Sequence, residues 1–199
     1  MGRTCCIDPP TAINAALDQF WLMGFSACSL KQLEEATGMN PGSLYYHFKN
    51  KEQLYLSALS YYIDEHLQPR VSKYLHDAVS LIQLRRFFTS GYRHKTEFNY
   101  RNCCFLVSAS HEKHLLPDES EDLMHKGVTV LTDGFTAVLS KPMFSDALPK
   151  NSIEPYAHQL LGLYLSIQVL ARFDINQQSL DRQVCRCLHS LFPTHFPEK

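Results

Sequence analysis

Apolar residues recur at helical spacing along nearly the whole chain, and strand-like alternation is almost absent. Ile13, Ala16, Leu17, Phe20 and Trp21 fall at i, i+3, i+4, i+7 and i+8, one face of a first helix that Gly24 would end. Ser29 offers an N-cap to a second, with Gln32 three residues on to complete a capping box. Leu30, Leu33 and Ala36 form its inward side, and Gly38 ends it. Asn40 caps a third, very short helix with Pro41 in its first turn, where a missing N–H costs nothing. Leu44 and Phe48, four apart, anchor it and leave Ser43, Tyr45, Tyr46 and His47 facing outward. Asn50 caps a longer fourth helix carrying Leu54, Ala58, Leu59, Tyr62 and Ile63, which Pro69 is expected to kink or end.

Beyond Pro69 the spacing predicts five further helices, roughly 76–97, 102–112, 119–140, 153–173 and 177–191, with "KPMFSDALPKNS" separating two of them. The segment 160–171 is apolar nearly all round, so it needs cover on more than one side. A partner subunit is a natural second cover, and Gly162 and Ser166, four apart, permit close approach. Leu180, Val184, Leu188 and Leu191 give the last helix one narrow stripe. The pattern is all-α, about nine helices.

Composition changes this picture little. The 199 residues are 45% hydrophobic and 20% charged, a globular balance, and the net charge of −1 neither favours nor excludes a polyanionic partner. The opening "MGRTCCIDPP" has one Arg and no apolar run, so it does not read as a secretory leader. The stretch "LLGLYLSIQVLA" is too short to span a bilayer. A soluble, cytoplasmic protein is expected, with no membrane partner and with seven reduced cysteines rather than a disulfide framework.

Two short helices joined by a tight Gly-containing turn make a helix-turn-helix, whose second helix enters the DNA major groove. The run from Ile13 to Leu54 is closer than that. In "AALDQFWLMGF", "CSLKQLEEATGM" and "NPGSLYYHFKNKEQL", with Leu44, Tyr45, Phe48 and Lys51 at their spacing from Gly38, it resembles the DNA-binding domain of TetR-family transcriptional regulators. The resemblance implies a helix-turn-helix domain over 1–52 and a helical effector-binding and dimerisation domain over 53–199. It also implies a palindromic double-stranded DNA operator bound by a homodimer, an unidentified small-molecule effector that releases a repressor, and no enzyme activity. Tyr45, His47 and Lys51 would hold the DNA backbone, while Pro41, Gly42, Ser43 and Tyr46 approach base edges. Cys28, Ser29, Asn40 and Lys49 complete the expected interface at helix starts and the following turn, and Arg3 matches an N-terminal arm. Later similarity is thin, resting on "RNCCFLVSASHE" and "GLYLSIQVLARFD".

Two departures stand out. Residues 1–60 carry four basic side chains (Arg3, Lys31, Lys49, Lys51) against five acidic ones (Asp8, Asp18, Glu34, Glu35, Glu52), a formal charge of 4 − 5 = −1. Few phosphates can then be neutralised, which predicts a shallow salt dependence. The arm reads "GRTCC", with Cys5 where a second Arg is usual in the similar branch.

In the body, Tyr62, Phe88, Tyr92, Cys103, Phe105, Phe135 and Tyr164 are candidate effector-pocket residues, set against the plainer reading of a helical core. Leu160, Leu163, Ile167, Leu170, Leu188 and Leu191 are the candidate dimer contacts implied by the four-helix interface of the family. Cys103 and Cys104 open a helix behind Arg101, a setting that lowers a thiol pKa, so a redox- or electrophile-sensing regulator is one alternative. A DNA-organising protein without an effector is another. His111 and His114 lie three apart but lack a remaining ligand set, and neither a metal nor a cofactor is expected.

Overall fold

A computed structural model describes residues 8–77, 80–93, 101–173 and 176–193, and every regular element among them is helical. Helix α1 spans Pro9–Met23, α2 Leu30–Thr37, α3 Pro41–Phe48 and α4 Lys51–Tyr61. The first four caps follow side-chain chemistry: Asp8, Ser29, Asn40 and Asn50 each accept an N–H from the first turn of the helix they precede. Ser29 and Gln32 form the full capping box.

Pro69 does not end the fourth helix. The chain runs on from α4 through π-helical turns at Tyr62–Leu67, into α5 (Gln68–Val71) and through π-helical turns at Ser72–His76. The N–H of Gln68 reaches Ile63 O, one residue further back than an α-helix would take it. This wider winding lets the rod pass a residue that has no N–H to give.

Helix α6 occupies Leu81–Ser90, later in its start than expected, because the rod stops at Asp77 and Ser80 caps a new helix by accepting from Gln83 N. Residues 94–97 of the expected span lie outside the described residues. Then come α7 (Phe105–His111), α8 (Glu119–Leu139), α9 (Pro142–Ser145), α10 (Ile153–Ala171) and α11 (Gln177–Leu191). The sequence reading took the α9 region as a linker. It instead tucks Phe144, fully buried, edge-on against Phe192 with ring centroids 5.4 Å apart.

The body core is aromatic. Phe87, Phe88, Phe135 and Tyr164 are all fully buried, with Phe87 at 5.4 Å from Phe135 and 5.3 Å from Tyr164. Each buried ring of this kind contributes roughly 1.5–3 kcal/mol from burial, plus the preference for tilted and edge-on pairs. Leu160, Ile167 and Leu188 are likewise fully buried within the chain itself, which corrects their assignment to a subunit contact: α10 packs against α8 and α11, and α11 against α6, of the same chain. Leu163, Leu170 and Leu191 are half-buried and remain candidates.

Three contacts tie the N-terminal helices to the body. Trp21 Nε1 donates to Cys103 O at 2.9 Å, and Asp18 accepts from Arg101 Nε at 3.0 Å. The Glu112 carboxylate accepts from Phe25 N at 2.7 Å and Ser26 N at 2.9 Å. Gly24, at φ 82°, makes the last approach possible, since a Cβ there would lie 2.5 Å from Glu112 Oε2. Among the described residues no helix is long and apolar enough to cross a membrane.

Candidate nucleic-acid interface and a cavity behind it

Helix α3 is held from one side only. Leu44 and Phe48 are buried, whereas Asn40, Pro41, Gly42, Tyr45, Tyr46 and His47 are exposed, Tyr46 by 83%. Ser43 is half-buried and donates its N–H to Asn40 Oδ1 at 2.9 Å, which fixes the start of the helix. A phenol that exposed is unusual for a large apolar ring, and here two tyrosines and a histidine share one face. Tyr46 and His47 lie edge to face with centroids 5.1 Å apart.

The turn into α4 is tight. Asn50 N donates to Phe48 O at 2.7 Å, and Lys49 between them sits at φ 61° and ψ −51°. That is the rarer, strained three-residue turn, and it holds Lys49 exposed at the end of α3. Lys51, half-buried, places Nζ 4.5 Å from the centroid of Phe25. Ser29 is exposed at the start of α2, but Cys28 beside it is fully buried. Burial pushes the Cys28 thiol up, so its side chain belongs to the core and only its backbone is near the α2 start. Arg3 lies outside the described residues.

Residues 12–58, the segment that builds this capped helix pair and its anchors, match the bacterial regulatory proteins of the tetR family. Over this segment the chain is similar to the TetR family. Its N-terminal part is 43% identical over 63 residues to the HTH-type transcriptional repressor ComR of Escherichia coli K12, covering 32% of this chain and 30% of ComR. It is 39% identical over 57 residues to the HTH-type transcriptional regulator RutR of the same strain, covering 29% and 27%. These sequence matches therefore span under a third of the relatives' own length, and the proteins matched are named as regulators, not enzymes.

The TetR-type fold extends over nearly the whole chain. A cysteine mutant of the TetR family transcriptional regulator CifR, complexed with 26-bp double-strand operator DNA, superposes with a TM-score of 0.77 at 23% identity over 94% of this chain and 98% of CifR. A TetR family regulator from Cytophaga hutchinsonii gives 0.78 at 19% identity over 95% and 94%. The reduced form of E. coli NemR gives 0.75 at 17% identity over 89% and 94%.

Behind the N-terminal helices, at their junction with the body, lies a cavity of about 100 Å³. Tyr62 and Cys103, both expected pocket residues, reach it, together with Trp21, His66, Arg70 and Arg101. Phe88, Phe135 and Tyr164 pack in the aromatic core, Phe105 packs against Trp21 and Tyr62, and Tyr92 donates to Asp181 Oδ1 at 2.7 Å. The sequence reading missed His66 and Arg70. Their signal was present, since Tyr62, His66 and Arg70 stand at i, i+4 and i+8 along one side of the rod.

Cys103 departs from the expected low-pKa thiol. It is buried, and burial, with Cys104 beside it, pushes its thiol up to about 11. Arg101, expected to favour the thiolate, is paired with Asp18 instead. Cys104 Sγ lies 3.1 Å from Tyr62 OH. Among the described residues no group of three metal-ligating side chains gathers anywhere.

Proposed function

We propose that this chain is a DNA-binding transcriptional regulator that acts as a homodimer on a palindromic operator and is released, as a repressor, by a small effector. The observation that carries this reading is the α3 face: a capped helix pinned by Leu44 and Phe48 that turns Tyr45, Tyr46 and His47 to solvent. Tyr45, His47 and Lys51 position the DNA backbone, and Pro41, Gly42, Ser43 and Tyr46 meet base edges, as the TetR resemblance implies. ComR carries the name of a repressor, and CifR has been seen on operator DNA.

The dimer rests on an open groove between α10 and α11, lined by Gly162, Leu163, Ser166, Cys187 and Leu191. A Cβ at Gly162 would meet nothing within 4 Å, so a second helix can come close there. A two-fold dimer matches a two-fold operator. The rod from α4 through α5 joins the α3 support to the cavity, so a ligand that prefers one rod position lowers operator affinity through its differential affinity for two states. A thiol switch at Cys103 is the weaker reading, because a thiol raised to about 11 is almost wholly protonated at neutral pH.

The test is selection of bound fragments from the source genome by the purified chain at two salt concentrations. One or a few palindromic sites are expected, with a slope no steeper than about −6 in log K against log salt, given the −1 charge of residues 1–60. Many dispersed sites would favour a DNA-organising role instead, and no enrichment at either salt would remove the reading.

A further inference from the structure

The wall of the cavity at the α1–rod junction carries an unbalanced charge. Arg70 donates through Nη2 to Phe87 O at 3.3 Å and Tyr164 OH at 3.2 Å, and its guanidinium lies 4.6 Å and 5.3 Å from the centroids of those two rings. Every one of those partners is neutral. Among the described residues no carboxylate pairs with Arg70 and its Nε–H meets no acceptor. Arg101, also on the wall, is matched by Asp18. A guanidinium keeps its charge at any physiological pH, so the excess positive charge on this wall is permanent.

Two further polar groups beside it are short of partners. Gln168 is fully buried, and among the described residues neither its Nε2 nor its Oε1 has a hydrogen-bond partner. Its Nε2 and Arg70 Nη2 converge on Gly91, where an added Cβ would lie 2.6 Å and 3.2 Å from them. Gly91 itself lines the cavity, and only the absence of a side chain keeps this corner open. His66 is the third residue here with such an atom, its Nε2 having no hydrogen-bond partner among the described residues. Buried polar groups are nearly always paired, and an unpaired buried charge is the costliest exception. His66 and Arg70 line the cavity and Gln168 adjoins it at Gly91, and together they call for a molecule that completes them.

We infer that this cavity is the effector site and that it binds a small monocarboxylate anion, its carboxylate taken by Arg70 with Gln168 and His66 alongside. The inference rests on the reading of the chain as an effector-controlled regulator. One unmatched guanidinium suits one negative charge, and its planar fork fits a carboxylate. Burial, helped by the Arg101 charge, holds the His66 pKa below the usual histidine range, so no second cation stands ready for a dianion such as phosphate. The rings of Trp21 and Tyr62 face the remaining space, which suits a short apolar tail, and a volume of about 100 Å³ holds only a few non-hydrogen atoms. Trp21 is also the residue whose Nε1 ties α1 to Cys103 O, so a ligand against it acts directly on the joint between DNA-binding helices and body.

The test uses the full chain, with thermal shift and calorimetry against acetate, propionate, butyrate and benzoate, their neutral amides, and inorganic phosphate. At least one carboxylate should raise Tm saturably, while its amide and phosphate do not, and the same carboxylate should weaken operator binding. Arg70→Met should weaken that carboxylate by at least about tenfold. Gln168→Leu, a milder change, should weaken it too and serves if Arg70→Met does not fold. No shift with any carboxylate, an equal shift with the amides, a shift with phosphate alone, or an unaltered response in both variants would overturn the inference. So would a carboxylate that binds yet leaves operator affinity unchanged. Failure of the ligand-free chain to bind any DNA would instead strike the regulator reading and leave the calorimetric result standing.

Discussion

Tyr46 shows how a single residue is turned outward by its neighbours. Leu44 and Phe48 fix the roll of α3, and two positions on from Leu44 the phenol has nowhere to go but solvent. His66 illustrates the opposite case, a side chain shaped by burial. Its folded-state pKa is lowered, first by desolvation and then by the Arg101 charge. The unfolded chain therefore binds the proton more readily, and the neutral ring's contribution is fully present above the unfolded value of about 6.5 and is lost as pH falls through the folded one. Tm should accordingly drop between about pH 7 and pH 5, and drop less in His66→Gln when both are followed by circular dichroism. An equal drop in the two proteins would show that His66 is not the titrating group.

At the scale of elements, the caps did most to make the N-terminal half readable. Ser29, Asn40 and Asn50 act on donors within their own first turn, so the sequence around each is enough to place it. Asn40→Ala should cost about 1 kcal/mol of stability, measured by denaturant unfolding, because α3 has only two turns to hold it. A change within error would mean that Leu44 and Phe48 alone position the helix. What stayed hidden depends on distant chain segments. Pro69 reads locally as a stop, but the rod passes it because π-helical turns lie on both sides and its flanks are packed against α8. Arg70 reads as a solvated charge; it becomes a cavity wall only once α6 and α10 bring Phe87 and Tyr164 to it. Cys103 has the local setting of an activated thiol, which burial reverses. Of the stripe assigned to a subunit contact, Leu160, Ile167 and Leu188 turn into the chain's own core, which periodicity alone does not reveal, while Leu163 and Leu191 line the open α10–α11 groove and Leu170 is half-buried.

For the whole molecule, the proposed function requires two α3 helices held at a fixed separation, which a single chain does not supply. Gly162→Arg places a long charged side chain in the open α10–α11 groove without touching anything inside its own chain. It should leave helicity and Tm nearly unchanged, shift the protein to monomer in sedimentation, and weaken operator binding. A variant that stays dimeric would move the interface elsewhere. The central claim is that the exposed α3 face reads DNA, and the most direct measurement is fluorescence anisotropy on a site recovered from the genome, beside a scrambled duplex, for wild type and Tyr46→Ala. The expected result is tight binding of the recovered site by wild type, at least about tenfold weaker binding by Tyr46→Ala with unchanged Tm, and little difference between them on the scrambled duplex. Wild-type binding that does not distinguish the two duplexes, or a Tyr46→Ala variant that binds the recovered site as tightly as wild type, would contradict it.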